Sequence, residues 1–299
     1  MTATEIVPTA ETAPIERDQP PRPRRKRNPL ASIALHATLI TASIIAIAPI
    51  VWVVLTSLKP RNRWQSTDVK IFDQPSLDNY RQVLTETSFL RWFGNSLMVA
   101  GFTTVIAVGL AATTGYALSR LKFPGHRAFA ISLLVTQMFP AAILIVPYYN
   151  LMAKLGLLNT YGGLVLAYVV VAVPFCAWML RGYFNTIPVE IDEAGLMDGL
   201  SPFGAFVRLV LPLARPGLAV TAFYSFLTAW GEVAYASNFL VGNEKLTLAA
   251  GLQQFVGQFK AEWGLMTAAA VLITIPAAIV FLTVQRNLVS GLTAGGTKS

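Results

Sequence analysis

Four carboxylates stand within ten residues in the stretch EIDEAGLMDG, residues 190–199: Glu190, Asp192, Glu193 and Asp198. Acids at that density can exchange protons with a substrate, hold a cation, or meet a basic partner. General acid–base work needs a pocket and a partner group within hydrogen-bond reach. Neighbouring acids on an exposed helix offer neither. A metal site is poorly served, because the only histidines are His36 and His126 and there is no H-E-x-x-H. The single thiol, Cys176, allows no disulfide within the chain and reads as packing. One other acid is singular: Glu232 is the only charge between Arg215 and Glu244. An acid inside an apolar run is a functional-site candidate by default.

The elements that carry these acids follow from charge spacing. The chain has 299 residues, of which 54% are hydrophobic and 13% charged. A soluble domain carries about a quarter charged residues. No charge occurs between Arg27 and Lys59, Arg91 and Arg120, Arg127 and Lys154, Lys154 and Arg181, or Glu262 and Arg286. A spanning helix needs about 20 apolar residues, and backbone in lipid must satisfy its own hydrogen bonds. The expectation is an all-α integral membrane protein. Six transmembrane helices are expected, near 33–55, 94–118, 129–151, 160–180, 217–240 and 264–284. Pro49, Pro140, Pro147, Pro174 and Pro276 lie within them, which fits helices packed around a cavity.

The net charge of +8 is spread over loop edges and the run RPRRKR at 22–27. Nothing gathers it into one face for nucleic acid. Residues 1–29 read as a disordered basic cytoplasmic tail rather than a signal peptide. With that tail inside, Lys and Arg number 14 on the inner side and 9 on the outer, and six spans bring both termini to the cytoplasm. The acidic stretch then lies in an inner loop. Two longer loops, 59–91 and 241–263, lie outside.

Local chemistry makes the inner loop two short helices. Pro188 suits a first helical position. Glu190, Asp192 and Glu193 fall where the helix dipole favours anions. Gly199 suits a left-handed C-cap, and Ser201 can cap a second helix that opens on Pro202. Pro212 and Pro216 end it. Ala194 and Gly195 leave a small-residue face flanked by acids, open to another protein's backbone and basic side chains.

The stretch EAGLMDG, followed by Leu211 and Pro212, resembles the signature loop of bacterial ABC-importer permeases. Glu193, Ala194, Asp198 and Gly199 match that pattern, and Gly195 replaces its usual second Ala. PSLDNYRQVL (75–84), NSLMVA (95–100), GLLNTYGGLVLAY (156–168) and RGYFNTIP (181–188) resemble the carbohydrate branch. LAAGLQQF (248–255) and QRNLVSGLTAGG (285–296) are similar to the smaller permeases of maltose/maltodextrin transporters. The likeness runs from about residue 30 to 299.

The resemblance implies a type I ABC-importer permease fold over 30–284, with cytoplasmic coupling helices at about 187–210 and a cytoplasmic tail at 285–299. Composition alone would make that tail disordered. The ATPase-coupling residues it implies are Glu190, Glu193, Ala194, Gly195, Asp198, Gly199, Leu211 and Pro212. The loop that reaches an extracytoplasmic sugar-binding protein would use Leu252, Gln253, Gln254, Phe255 and Phe259, with Trp263 nearby. Implied partners are a larger second permease, an ATPase dimer, the binding protein and membrane lipid. ATP and magnesium would sit on the ATPases, since this chain has no G-x-x-x-x-G-K-[ST]. No cofactor or catalytic residue is expected here. Tyr148, Tyr149, Asn150, Tyr168, Trp178, Tyr224, Trp230 and Tyr235 are available to a sugar. The alternatives are a secondary transporter using Glu232, an intramembrane enzyme, or an importer of trehalose, another sugar or glycerol phosphate.

Overall fold

The computed structural model describes residues 29–60, 75–256 and 262–295. Its regular elements are helices. The chain divides into two compact units, 1–49 and 50–299. Helix α1 (Pro29–Ser57) starts in the first and ends in the second. Between Ile33 and Pro49 every side chain is exposed. A helix apolar on all sides is stable in lipid, not in water.

In the larger unit, Asn79 closes the end of α1: its Nδ2 donates to the carbonyls of Ser57 at 2.8 Å and Lys59 at 2.9 Å. Those carbonyls have no partner inside the helix. Asn79 belongs to α2 (Asp78–Glu86). There follow α3 (Phe89–Arg120), α4 (His126–Thr136), α5 (Ala141–Lys154), α6 (Tyr161–Phe184) and α7 (Glu190–Met197). After them come α8 (Pro202–Ala205), a π turn (Phe206–Val210), α9 (Leu211–Leu213), α10 (Arg215–Trp230) and α11 (Ala234–Phe239). The chain closes with α12 (Leu248–Leu252) and α13 (Trp263–Gly295).

Helices α3 and α6 form the spine. Ala107, Ala111 and Gly115 of α3 share a buried cluster or close contact with Ala172, Cys176 and Ala177 of α6. A β-carbon at Gly115 would lie 2.9 Å from the Ala177 carbonyl oxygen. Small residues let membrane helices approach this closely. Cys176 is buried there, which accounts for it as packing. Around the spine lie two cores. One gathers Trp92, Tyr168, Trp230, Tyr235, Leu248 and Ala268. The other gathers Phe184, Ile187, Phe206 and Val210 beneath α7.

Four helices are long and apolar enough to cross a membrane unaided, and six spans result if each of two bent pairs counts as one. Two expected spans need correction. The third is not one helix over 129–151: α4 and α5 meet at 104°. Pro140 lacks an N–H and disfavours helical backbone in the residue before it. The fifth does not run to 240: α10 stops at Trp230 and the chain restarts at Ala234. The bend into α10, 82° at Ala214, lies between Pro212 and Pro216. The last helix continues to Gly295, so the glycine-rich tail from 285 is helical over most of its length.

Candidate functional site

The acidic stretch folds as a hairpin of α7 against α8, the π turn and α9. Helix α7 starts two residues after Pro188, and no side chain caps it. At its other end Gly199 has φ +85°. Leu200 N–H donates to the Gly195 carbonyl at 2.9 Å, and Gly199 N–H to that of Leu196 at 3.1 Å. These two bonds are the Schellman closure. Ser201 Oγ accepts from Gly204 N–H at 3.1 Å with Pro202 next in sequence. The caps expected at 199–202 are thus in place, all by bonds local in sequence. The π turn ends on Leu211, whose N–H reaches back to Phe206 O. Pro212 then donates nothing to the turn before it.

The four acids divide into two sets. Glu190, Glu193 and Asp198 are exposed, with Ala194 and Gly199 beside them. Met197 and Phe203 flank them at 88% and 68% exposure. Asp192 turns inward. Its Oδ1 accepts from Tyr116 Oη at 2.5 Å and its Oδ2 from Arg120 Nε at 2.9 Å. The Arg120 and Asp192 side chains are only 10% and 14% exposed. Arg120 Nη2 also donates to the Ile187 carbonyl at 2.8 Å, and Ser119 Oγ to Asn185 Oδ1 at 2.7 Å. The end of α3 is therefore bolted to residues 185–192. Tyr116 packs beneath, its ring 4.5 Å from Phe206 and 5.9 Å from Phe184.

Gly195 does not lie on the exposed face. It is buried, and a β-carbon there would meet Leu209 Cδ1 at 2.6 Å and Ala205 Cβ at 3.2 Å. The residue that departs from the signature packs the two arms of the hairpin together. Leu211 is half-buried and Pro212 exposed.

Sequence reading missed Tyr116, Arg120 and Asp192 as a unit. The only signal was a basic residue at the end of one apolar run and an acid at the start of a short helix, 72 residues apart.

Glu232 lies in the break between α10 and α11, not within a helix. Its Oε1 accepts from Tyr235 N–H at 2.9 Å. Its Oε2 accepts from Ala236 N–H at 3.2 Å and from Tyr168 Oη at 2.6 Å. It closes the start of α11, where unpaired N–H groups gather.

The segment after α11 folds down onto α3. Trp92 Nε1 donates to Asn243 O at 2.6 Å, Asn95 Nδ2 to the carbonyls of Glu244 and Leu246 at 2.9 Å, and Ser96 Oγ accepts from Leu248 N–H at 2.6 Å. Phe255 was expected to face a partner, but it is 9% exposed with its ring 5.9 Å from that of Trp92. Desolvation against Trp92 claims it for the core. Gln253 and Gln254 are exposed, Leu252 is half-buried, and Trp263 is 48% exposed. Phe259 lies outside the described residues. Of the groups available to a sugar, Tyr168, Trp230 and Tyr235 are buried in the core. Tyr149, Asn150 and Trp178 remain exposed. A 520 Å³ groove between α3 and α6, walled by Met98, Phe102, Ile106, Leu110, Val165 and Leu166, gives a polar ligand almost no hydrogen-bond partner.

Comparison with known proteins bears on this arrangement. Residues 106–294 match the family model described as binding-protein-dependent transport system inner membrane component. A maltose/maltodextrin transport system permease protein of Vibrio vulnificus is 38% identical over 284 residues, covering 89% of this chain and 95% of that protein. A trehalose transport system permease protein of Mycobacterium tuberculosis is 36% identical over 256 residues, covering 85% and 93%. Among solved structures, a chain of a bacterial ABC transporter involved in alginate import has the same fold. Its TM-score is 0.76 at 22% identity, covering 88% of this chain and 98% of that one.

Proposed function

This chain belongs to the family of binding-protein-dependent transport system inner membrane components, and we propose that it is the smaller permease of an ATP-driven importer for maltose/maltodextrin-type oligosaccharides. It is a multi-pass membrane subunit of a sugar ABC importer. The observation that carries the cargo assignment is the 38% identity over nearly the whole length of a maltose/maltodextrin permease. The 36% identity to a trehalose permease supports the second reading, a disaccharide importer of that type.

In this reading both termini face the cytoplasm, and a larger permease completes the path. Two partner ATPases bind ATP and magnesium. They take the exposed face of Glu190, Glu193, Ala194, Asp198 and Gly199 into a cleft, where Glu193 meets a basic side chain. Met197 and Phe203 add apolar contact at its edge, the kind of anchor that interfaces favour. Gly195, Leu211 and Pro212 shape the hairpin from behind. ATP-driven closure displaces α7, and the Asp192–Arg120 pair hands that displacement to α3. Rigid-body rocking then exposes a shared site alternately to the two sides. The 241–256 segment, with Gln253 and Gln254 outermost, meets the extracytoplasmic sugar-binding protein. Hydrolysis is the partners' chemistry, and this subunit converts it into movement.

The test is reconstitution of the chain with a larger permease, an ATPase and a sugar-binding protein of the maltose type in liposomes. Uptake of labelled maltotriose is expected to require ATP inside and binding protein outside, and to exceed trehalose uptake. Preference for trehalose would select the second reading. Sugar flux through this chain without an ATPase would defeat the importer reading itself.

A further inference from the structure

One bent span, α4 with α5, and the interruption after α10, where the helix stops at Trp230 and the chain restarts as α11, share one anchor. The α10 break is held by Glu232. Its carboxylate accepts from two backbone N–H groups of α11, those of Tyr235 and Ala236, and from the Tyr168 hydroxyl of the unbroken helix α6. Tyr168 is 1% exposed, so its hydroxyl is placed by the core. Tyr235, 2% exposed, carries the link onward. Its Oη donates to the carbonyl of Ala141 at 3.3 Å, at the first residue of α5 after the 104° bend. Its ring stands 5.9 Å from that of Tyr148 on α5. At the far end of α11, the Phe239 carbonyl accepts from Asn159 N–H at 2.8 Å, and Asn159 Oδ1 accepts from Val241 N–H at 3.0 Å.

We propose that Glu232 is a positioning residue of the transport cycle, locking α11, and through Tyr235 the start of α5, onto α6 so that α11 and α5 move as one gate. This rests on the importer reading above. The chemistry selects a carboxylate. Each hydrogen bond that Glu232 makes is one it accepts, and the donors come from two elements. Gln at 232 supplies one acceptor oxygen and turns an NH2 group toward the remaining donors. Among the described residues no carboxylate or imidazole bonds to Glu232, so it serves here as a clamp and not as a proton carrier.

The experiment uses the complete reconstituted complex with E232Q, E232A and Y168F. Loss of a charge-assisted hydrogen bond is expected to lower the maximal uptake rate about tenfold in E232Q. The binding-protein concentration for half-maximal uptake and the pH profile are expected to stay as in the wild type. Y168F, which keeps the cap on α11 and removes only the tie to α6, is expected to fall by less. E232Q combined with Y168F is expected to be no worse than E232Q alone. Amide hydrogen exchange gives a second readout that does not depend on cargo. E232Q is expected to accelerate exchange at 234–239 and at 141–147 together. Acceleration at 234–239 alone overturns the shared gate, as does wild-type uptake in E232Q. An E232Q change that abolishes a pH dependence of uptake overturns the clamp in favour of a proton carrier. If the Glu232 variants fail to assemble, Y168F decides: slowed uptake with normal assembly supports the proposal, and a wild-type rate overturns it. A wild-type complex that moves no sugar refutes the importer reading, and the exchange data still decide whether the two breaks are linked.

Discussion

Replacing Asp192 by Asn is the most direct probe of how the acidic hairpin is fastened. The substitution keeps the shape of the side chain and one acceptor oxygen. It removes the charge that faces Arg120 at 2.9 Å and the second acceptor that serves Tyr116. Both partners of the ion pair are nearly buried, at 10% and 14% exposure. Charge-assisted hydrogen bonds are worth about 1.5–3 kcal/mol, and an uncompensated buried charge costs about 3–5 kcal/mol. Arg120 keeps its bond to the Ile187 carbonyl, which lowers the penalty. An undocking cost of about 2 kcal/mol follows, or about a 30-fold rise in the open population of α7. A second ion pair in the chain supplies the control. Arg91 and Glu244 stand closer, at 2.6 Å, but are 57% and 77% exposed. Water screens them, so Glu244→Gln is expected to change stability by about 0–1 kcal/mol. Amide exchange at 190–197 in the intact complex measures the first effect, and exchange at 243–248 the second. If Asp192→Asn leaves α7 as protected as the wild type, or if the two substitutions behave alike, burial does not govern these pairs and the fastening assigned to Asp192 is wrong.

Other outcomes follow from the same geometry. Glu193→Lys reverses an exposed charge that contacts nothing within the hairpin, so membrane insertion is expected to be normal while sugar-stimulated ATP hydrolysis falls; unchanged stimulation would remove Glu193 from the ATPase contact. Gly195→Ala adds a β-carbon 2.6 Å from Leu209 Cδ1. Because that atom ends a flexible side chain and Ala gains about 1 kcal/mol of helix propensity, the net change in thermal stability is expected within about 1 kcal/mol of zero. A larger loss would mean that Leu209 cannot turn aside. Gln253→Ala together with Gln254→Ala removes two exposed amides from the turn, and is expected to slow sugar delivery from the binding protein while basal ATP hydrolysis stays constant, measured in the same liposomes.

What could be read from the sequence was what is local. Charge-free runs located the spans because lipid forbids charge over a whole helix length. The caps at Gly199, Ser201 and Pro202 could be read because each bonds within five residues of itself. Prolines were a different matter. Pro140 lies at a 104° break, yet Pro49, Pro147, Pro174 and Pro276 sit inside continuous helices. Nothing in the residue alone separates the two cases, because the outcome depends on which distant groups serve the backbone that proline leaves unpaired. At the 104° bend the long-range contact is the Tyr235 hydroxyl, which reaches the Ala141 carbonyl from 94 residues away. Glu232 looked like a charge inside a helix because its run of apolar neighbours continues past it. Gly231 and the cap it precedes end the helix instead. Phe255 failed for a similar reason, since an aromatic in a polar turn faces outward only if no Trp92 waits beneath it.

The bolt between α3 and the hairpin limits how far such transporters can be treated as kits of interchangeable parts. The acidic loop is short and contiguous, and it invites transplantation from one relative to another to redirect ATPase choice. Yet its Asp192 is answered by Tyr116 and Arg120, which lie upstream of any such graft. A grafted loop that brings an Asp to a recipient with no guanidinium at 120 leaves an anion buried without an answer. A graft that brings none strands the recipient's Arg120. The workable unit of exchange is therefore discontinuous: the loop together with the last turn of α3.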